Sequence, residues 1–180
     1  MQRAEQAGIE LPNSTALATA TNGGRPSVRM VLIKEIDERG FVFYTNLGSR
    51  KGRELAGNPF AALCMWWPPL QEQVRVEGAV EPVEDEDADR YFATRPRESR
   101  IVAWASRQSE PVRSYDELLA GVREIDRRFE GREVPRPPFW SGFRLIPERI
   151  EFWHGREHRA HLRTLYARTP AGWEERTLAP

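Results

Sequence analysis

Arg29, Lys34, Arg50 and Lys51 stand in one stretch, RMVLIKEIDERGFVFYTNLGSRK, at a spacing that suits phosphate recognition. Arg29 and Lys34 bracket the apolar run MVLI, and because side chains alternate across a strand the two charges project from opposite faces. Arg50 and Lys51 fall in the first turn of a helix that Ser49 would cap, where backbone amides and the macrodipole already present positive potential. Cations are unfavourable there on their own. A phosphate docked on the helix start would be gripped by the amides, the hydroxyl and both cations together. The plain alternative is a set of solvated surface charges, the usual state of Lys and Arg.

Elsewhere the recurring combination is Arg beside an aromatic or a hydroxyl: Tyr91 with Arg95 and Ser99, Gln108 with Ser109, and Trp153 with Arg159, His161 and Arg163. Such groups clamp phosphates and stack on or cradle a planar ring. His154, His158 and His161 lie together, with Glu151 nearby, and on a helix could mimic a metal site. Gly155, three arginines in the same segment and β-type flanking residues oppose that reading, so no metal is expected. No hydrolase elbow, P-loop or dinucleotide glycine pattern occurs. The single cysteine, Cys64, sits inside AALCMWW and reads as a buried structural thiol. With no obvious nucleophile or metal, the hard chemistry falls to a bound cofactor, anionic and planar, working beside a second phosphorylated ligand.

These groups must be positioned by strands. Arg29 to Ile36 and Phe41 to Thr45, joined at Asp37-Glu38-Arg39-Gly40, read as a β-hairpin. Before it, Gln2 to Ile9 reads as the end of a helix and STALATAT as an alternating strand turned at Asn22-Gly23-Gly24. After it, Phe60 to Trp67 is expected to be a buried strand stopped by Pro68-Pro69. Gln73 to Val83 alternates until Gly78 breaks the pattern as a bulge would. The segment EDEDADRYFATRP has the charge order a helix dipole favours, and places Tyr91 and Arg95 on one face. A second helical piece holds Ile101 to Ala105. The clearest helix is capped by Ser114 and Glu117, buries a stripe of Leu118, Val122, Ile125 and Phe129, and ends at Gly131. Val134 to Pro138 is a stiff connector. Phe143 to Ile146, Arg149 to Trp153, Leu162 to Arg168 and Trp173 to Leu178 read as four further strands. The sum is a mostly antiparallel α+β, barrel-like domain with inserted helices.

At 180 residues the chain reads as one domain, able to bury about 70% of its unfolded surface. Lys+Arg and Asp+Glu balance at 27 each, so no global field attracts nucleic acid and any anion preference is local. No apolar run is long enough to span a bilayer, and a cytoplasmic protein with no membrane partner is expected.

RMVLIK, FYTNLGSRK, QVRVEG, YFATRPRESRIVAWASRQS, FWSGFR, IEFWHG and EHRAHLR, in that order, resemble the pyridoxine/pyridoxamine 5'-phosphate oxidase family from about Ala16 to the final LAP. The resemblance implies an FMN-binding split barrel and a homodimer with FMN at its interface, the C-terminal dimerisation segment running from about 139 to 180. It implies oxidation of pyridoxine or pyridoxamine 5'-phosphate to pyridoxal 5'-phosphate, with O2 reduced to H2O2. The family's FMN contacts fall on Arg29, Met30, Val31, Leu32, Ile33, Lys34, Tyr44, Thr45, Arg50, Lys51, Gln73, Gln108, Ser109, Trp153 and Arg163. The substrate phosphate falls to Lys34, Tyr91, Arg95 and Ser99, while Arg159 and His161, the catalytic pair, lie against the pyridine ring.

Two departures stand out. Family members usually carry a further N-terminal segment that folds over the substrate, and this chain is short there. Leu162 also stands where an acidic residue is common, and Thr177 where an Arg is common. The competing readings are an oxidase of the same fold acting on another ring, such as a phenazine precursor, and a non-catalytic FMN or pyridoxal phosphate binding protein. Lys34, Tyr91, Arg95 and Ser99 favour the vitamin B6 substrate over the first, and Arg159 with His161 favours turnover over the second.

Overall fold

Alternating burial along strand-forming runs is the dominant pattern of the chain, whose computed structural model describes residues 1–180. It resolves into two compact units, one of Met1–Phe43, Glu54–Glu81 and Arg144–Pro180, the other of Tyr44–Arg53 and Pro82–Phe143. No helix is long and apolar enough to cross a membrane.

The first unit is built on antiparallel strands, with the last three residues of β4, the last of β6 and the first four of β7 counted in the second: β1 (Ser14–Ala20), β2 (Pro26–Leu32), β3 (Glu35–Asp37), β4 (Gly40–Asn46), β5 (Phe60–Trp67), β6 (Glu72–Pro82), β7 (Trp140–His154), β8 (Leu162–Thr169) and β9 (Gly172–Leu178). Their order is β2-β1-β5-β6-β7-β4-β3, with β8 added to β7 and β9 to β8. In β1, Thr15, Leu17 and Thr19 point inward, and in β6 so do Val74, Val76 and Val80. Alternation is what lets such strands bury one face. A short helix, α1 (Gln2–Gln6), precedes them, ending three residues before the expected Ile9.

The structure corrects several sequence expectations. The first strand of the hairpin is interrupted at Ile33–Lys34. There the Ile33 N–H still donates to Asn13 (3.0 Å), but the Lys34 N–H donates to Val42 (2.8 Å), so the strand leaves β1 and passes to β4. β5 is half-buried, not fully buried: Ala61, Leu63, Met65 and Trp67 face inward while Phe60 and Trp66 are exposed. Phe143–Ile146 and Arg149–Trp153 belong to one strand, β7, which runs through Pro147 without a break.

Gly78 is no bulge either, because β5 and β6 stay in register from Phe60↔Ala79 to Trp67↔Glu72. Its glycine answers to a close approach. A Cβ there would stand 2.0 Å from the Ile146 carbonyl oxygen, and one at Gly40 would stand 2.1 Å from that of Leu145.

The second unit carries α3 (Asp85–Thr94), α4 (Arg97–Ala105) and α5 (Tyr115–Arg128). Helix α2 (Arg50–Gly57) begins in it. As expected, Ser114 caps α5, accepting from the Glu117 N–H at 3.1 Å, while the Glu117 carboxylate accepts from the Arg113 N–H at 2.9 Å. Gly131 (φ +65°) lies just beyond its end. The predicted stripe is only half-buried. Phe129 joins Ile101 and Val134 in a small core, with Val122 and Ile125 at its margin.

Gly78→Ala should lower unfolding free energy by about 1–3 kcal/mol, towards the top of that range because the atom met is backbone and cannot swing aside. Gly121→Ala is the control of opposite sign. It lies inside α5 with nothing within 4 Å of a new Cβ, and should gain up to about 1 kcal/mol in urea unfolding.

Candidate functional site

In the first unit, alternation sets Ser27, Arg29 and Val31 on the partly covered side of β2 and leaves Met30 exposed. Leu32 is half-buried, Ile33 is buried and Lys34, past the strand break, is exposed. The Arg29 guanidinium is closely held. It donates to the Leu17 carbonyl (3.2 Å), the Thr19 hydroxyl (2.6 Å), Ser27 Oγ and the buried Glu54 carboxylate (3.3 Å). Thr19 and Ser27 also donate to that carboxylate, so one buried anion organises three donors.

A second cluster forms where β6, β7 and β8 run side by side. Gln73 lies across the ladder from Trp66, whose ring meets Trp153 edge-on at 5.8 Å. Trp153 is directly opposite Arg163 and lies 4.5 Å from the His161 ring. The Arg156 N–H donates to His161 Nδ1 at 3.2 Å, a bond that leaves the proton of the neutral ring on Nε2. Arg163 donates from Nε and Nη2 to Glu151 (2.8 and 3.2 Å) and from Nη1 to the Ala179 carbonyl (2.8 Å). Arg159 is exposed in a short 3-10 turn, Glu157–Arg159. It and His158 both adopt left-handed φ, +63° and +54°. Such backbone is uncommon for residues with a Cβ and collects at functional sites.

In the second unit, Ser49 caps α2 as expected, its hydroxyl accepting from the Gly52 N–H at 3.2 Å. Lys51 is buried, and its ammonium donates to Thr45 (3.0 Å), Ser49 (3.4 Å) and Gln108 (2.8 Å), while Arg50 is exposed. Ser109, next to Gln108, has φ +74°. Tyr44 stacks on Tyr91 at 4.1 Å and on Trp140 at 5.5 Å, with planes within 13° of parallel.

Arg95 is the C-cap of α3, extended before Pro96, and its side chain stays on the Tyr91 side, the two interacting electrostatically and both lying against Trp140. Arg95 lies over the rings of Trp140 (4.9 Å) and Phe92 (5.4 Å). Its Nη1 is buried without a hydrogen-bond partner, and burial pushes its pKa down. Ser99, on α4, is half-buried.

Cys64 is partly buried, and burial pushes its thiol up, which disfavours the nucleophilic thiolate. Sequence reasoning missed Glu54 and Trp140. Glu54 acts on Arg29 from 25 residues away, and only a lone acid following three cations in RKGRE hinted at it. Trp140 stands in FWSGFR, one of the stretches that carry the resemblance, but nothing in the sequence set its ring against Arg95 and Tyr44.

Residues 1–129 match the family model for pyridoxamine 5'-phosphate oxidase, and residues 140–180 match the pyridoxine 5'-phosphate oxidase C-terminal dimerisation region. The pyridoxine/pyridoxamine 5'-phosphate oxidase of Rubrobacter xylanophilus is 58% identical over 179 residues, 99% of this chain and 82% of that protein. That of Anaeromyxobacter dehalogenans is 57% identical over 180 residues, 100% of this chain and 91% of that one. Among solved structures, PhzG from Burkholderia lata, in complex with tetrahydrophenazine-1-carboxylic acid, has a TM-score of 0.94 at 34% identity, covering 99% and 88% of the two chains. A pyridoxamine 5'-phosphate oxidase-related, FMN-binding protein from Nostoc punctiforme shares the fold, with a TM-score of 0.77 at 18% identity over 99% and 95%.

The hydrogen bonds from Arg163 hold the Glu151 carboxyl below its ordinary 4.5 against the opposing effect of burial, helped by the charges of Arg75 and Arg149. A carboxyl depressed in the folded state stabilises the fold above its unfolded pKa, and that contribution is lost as pH falls through the folded value. Glu151→Gln should therefore lose roughly 1–3 kcal/mol at neutral pH and show a shallower decline on acidification below about pH 4.5, measured by thermal unfolding across the acid range.

Proposed function

The chain belongs to the pyridoxamine 5'-phosphate oxidase family, and on that premise we propose how its own side chains divide the work of oxidising a phosphorylated pyridine. It is an FMN-dependent oxidoreductase that converts pyridoxine or pyridoxamine 5'-phosphate to pyridoxal 5'-phosphate, and it works as a homodimer. In our reading residues 1–180 are a single oxidase domain whose last forty or so residues, from about 139, serve dimerisation. We assign it to the cytoplasm, where its soluble phosphorylated ligands would be found.

One observation carries the substrate assignment. Arg95 is a desolvated cation against Trp140 and Phe92 whose Nη1 has no partner, an arrangement that costs free energy unless an anion completes it. We assign the substrate phosphate to Arg95, with Tyr91, Ser99 and Lys34. The chemistry of the remaining donors fits FMN. Arg50, Lys51, Thr45, Gln108 and Ser109 supply cations, hydroxyls and an amide for a phosphate and its chain. Arg29 to Lys34, Tyr44, Gln73, Trp153 and Arg163 supply backbone, amide, aromatic and guanidinium groups suited to a flat polar ring. Bound FMN supplies the two-electron acceptor for hydride leaving the substrate C4' carbon and the centre at which O2 is reduced to H2O2.

The protein's own part is placement and charge. Arg159, on its strained turn, holds the pyridine ring at reacting distance and stabilises the charge that develops there. His161, with Nδ1 engaged by the Arg156 N–H, presents Nε2–H to orient the ring. Oxidation of the amine substrate yields an imine, which water converts to the aldehyde and ammonia.

Anaerobic titration of the FMN-loaded protein with pyridoxine 5'-phosphate should bleach the flavin's visible absorbance, and admitting air should restore it. Persistent colour would move the assignment to an unphosphorylated ring of the phenazine type. Arg159→Ala should lower kcat by roughly a hundredfold while changing FMN affinity by less than about threefold, and equal losses in both would contradict its role.

A further inference from the structure

Glu151 is 4% exposed, yet it is one of the most heavily contacted carboxylates in the molecule. It takes two hydrogen bonds from Arg163, at 2.8 and 3.2 Å, and an ion pair from Arg75 at 3.3 Å. The ladder explains the fit. Glu151 stands opposite Leu165, so Arg163 is its diagonal neighbour on the same face, and Trp153 is directly opposite Arg163. Arg75 is in turn shared with Glu77 (3.2 Å), which also meets Arg149 (3.5 Å).

A guanidinium has five N–H groups. In Arg163, Glu151 takes the Nε–H and one on Nη2, and the Ala179 carbonyl takes one on Nη1. One N–H on each terminal nitrogen is left uncommitted. The Arg side chain is flexible, and fixing it during folding removes an ordering cost that ligand binding would otherwise bear.

We propose that Glu151 is a positioning residue for the flavin, its buried carboxylate fixing the Arg163 guanidinium so that the two uncommitted N–H groups are presented to FMN. This rests on the assignment of Arg163 as an FMN contact. Neutralising Glu151 would leave an amide with one acceptor and a clashing N–H against the guanidinium, so Arg163 would stay in place by sequence but lose its fixed direction.

The test is a double-mutant cycle read by FMN titration of flavin-depleted protein, followed by flavin fluorescence, with melting temperature recorded alongside. Glu151→Gln and Arg163→Lys should each weaken FMN binding about tenfold, and the double variant should be no weaker than Arg163→Lys alone. Glu151→Asp should recover part of the loss, and it keeps the test open should Glu151→Gln fold poorly. Arg75→Gln, which leaves the Arg163 pair intact, should bind FMN as the parent does. A Glu151→Gln protein that melts earlier but binds FMN normally overturns the positioning role while leaving Arg163 as a ligand. Normal FMN binding by Arg163→Lys overturns the assignment beneath it. Loss in Arg75→Gln equal to that in Glu151→Gln replaces positioning with a general effect of local charge.

Discussion

The closeness with which neighbouring backbone presses on β7 at Leu145–Ile146 is the constraint on which the first unit depends. A side chain at Gly40 or Gly78 would lie about 2 Å from a β7 carbonyl oxygen, so both positions must be bare. That contact lets one 15-residue strand serve β6, β4 and β8 at once. A strand has only two edges, so its length has to be divided, and β8 takes Arg149–His154. The same division puts Glu151 and Trp153 on the half of β7 that faces β8, and through the register it fixes where Arg163 stands. The β7–β8 ladder thus decides the address of the Arg163 guanidinium.

The cations of the candidate site are each restrained by different chemistry. Arg29 and Arg163 are held by the buried carboxylates of Glu54 and Glu151, Lys51 by hydroxyl and amide oxygens, and Arg95 by aromatic faces. The difference has consequences. A carboxylate neutralises and orients its partner, leaving N–H groups with a direction but little net charge. Aromatic faces orient a cation while leaving its charge and, in Arg95, an N–H unmet. The first device suits recognition of a neutral polar edge, the second capture of a phosphate, and the assignments of Arg163 and Arg95 follow that division.

Much of this was legible in the sequence because local rules governed it. The alternation of β1 and β6, the Ser114 cap and the Ser49 cap are decided by residues within a few positions of one another, and the structure has them where the pattern put them. What was not legible is long-range. Gly78 looked like a bulge because a glycine in a strand has several causes, and the carbonyl of Ile146 is 68 residues away from it in the chain. Pro147 looked like a strand end, yet β7 continues through it, a proline being tolerable wherever the ladder does not call on its nitrogen. The interruption at Lys34 is invisible in MVLIKEI, since a change of partner leaves no trace in composition. The α5 stripe was correctly periodic, but periodicity says which face is covered, not how fully.

Backbone strain marks the candidate site independently of side-chain chemistry. Among residues other than glycine, only Gln71, Ser109, His158 and Arg159 have positive φ. Each such conformation costs of order 1–3 kcal/mol and persists only where its surroundings impose it. Gln71 has an immediate structural cause, since it closes the turn between β5 and β6 and its carbonyl accepts from the Gly155 N–H at 2.8 Å. Ser109 and Arg159 fall on assigned site residues and His158 adjoins one. Two successive left-handed residues at His158–Arg159 turn the chain back within a three-residue 3-10 segment, which brings it to β8 with His161 against Trp153. A chain relaxed at those two positions would reach Leu162 along a different path. The strain is therefore tied to the placement of the two residues assigned to the pyridine ring.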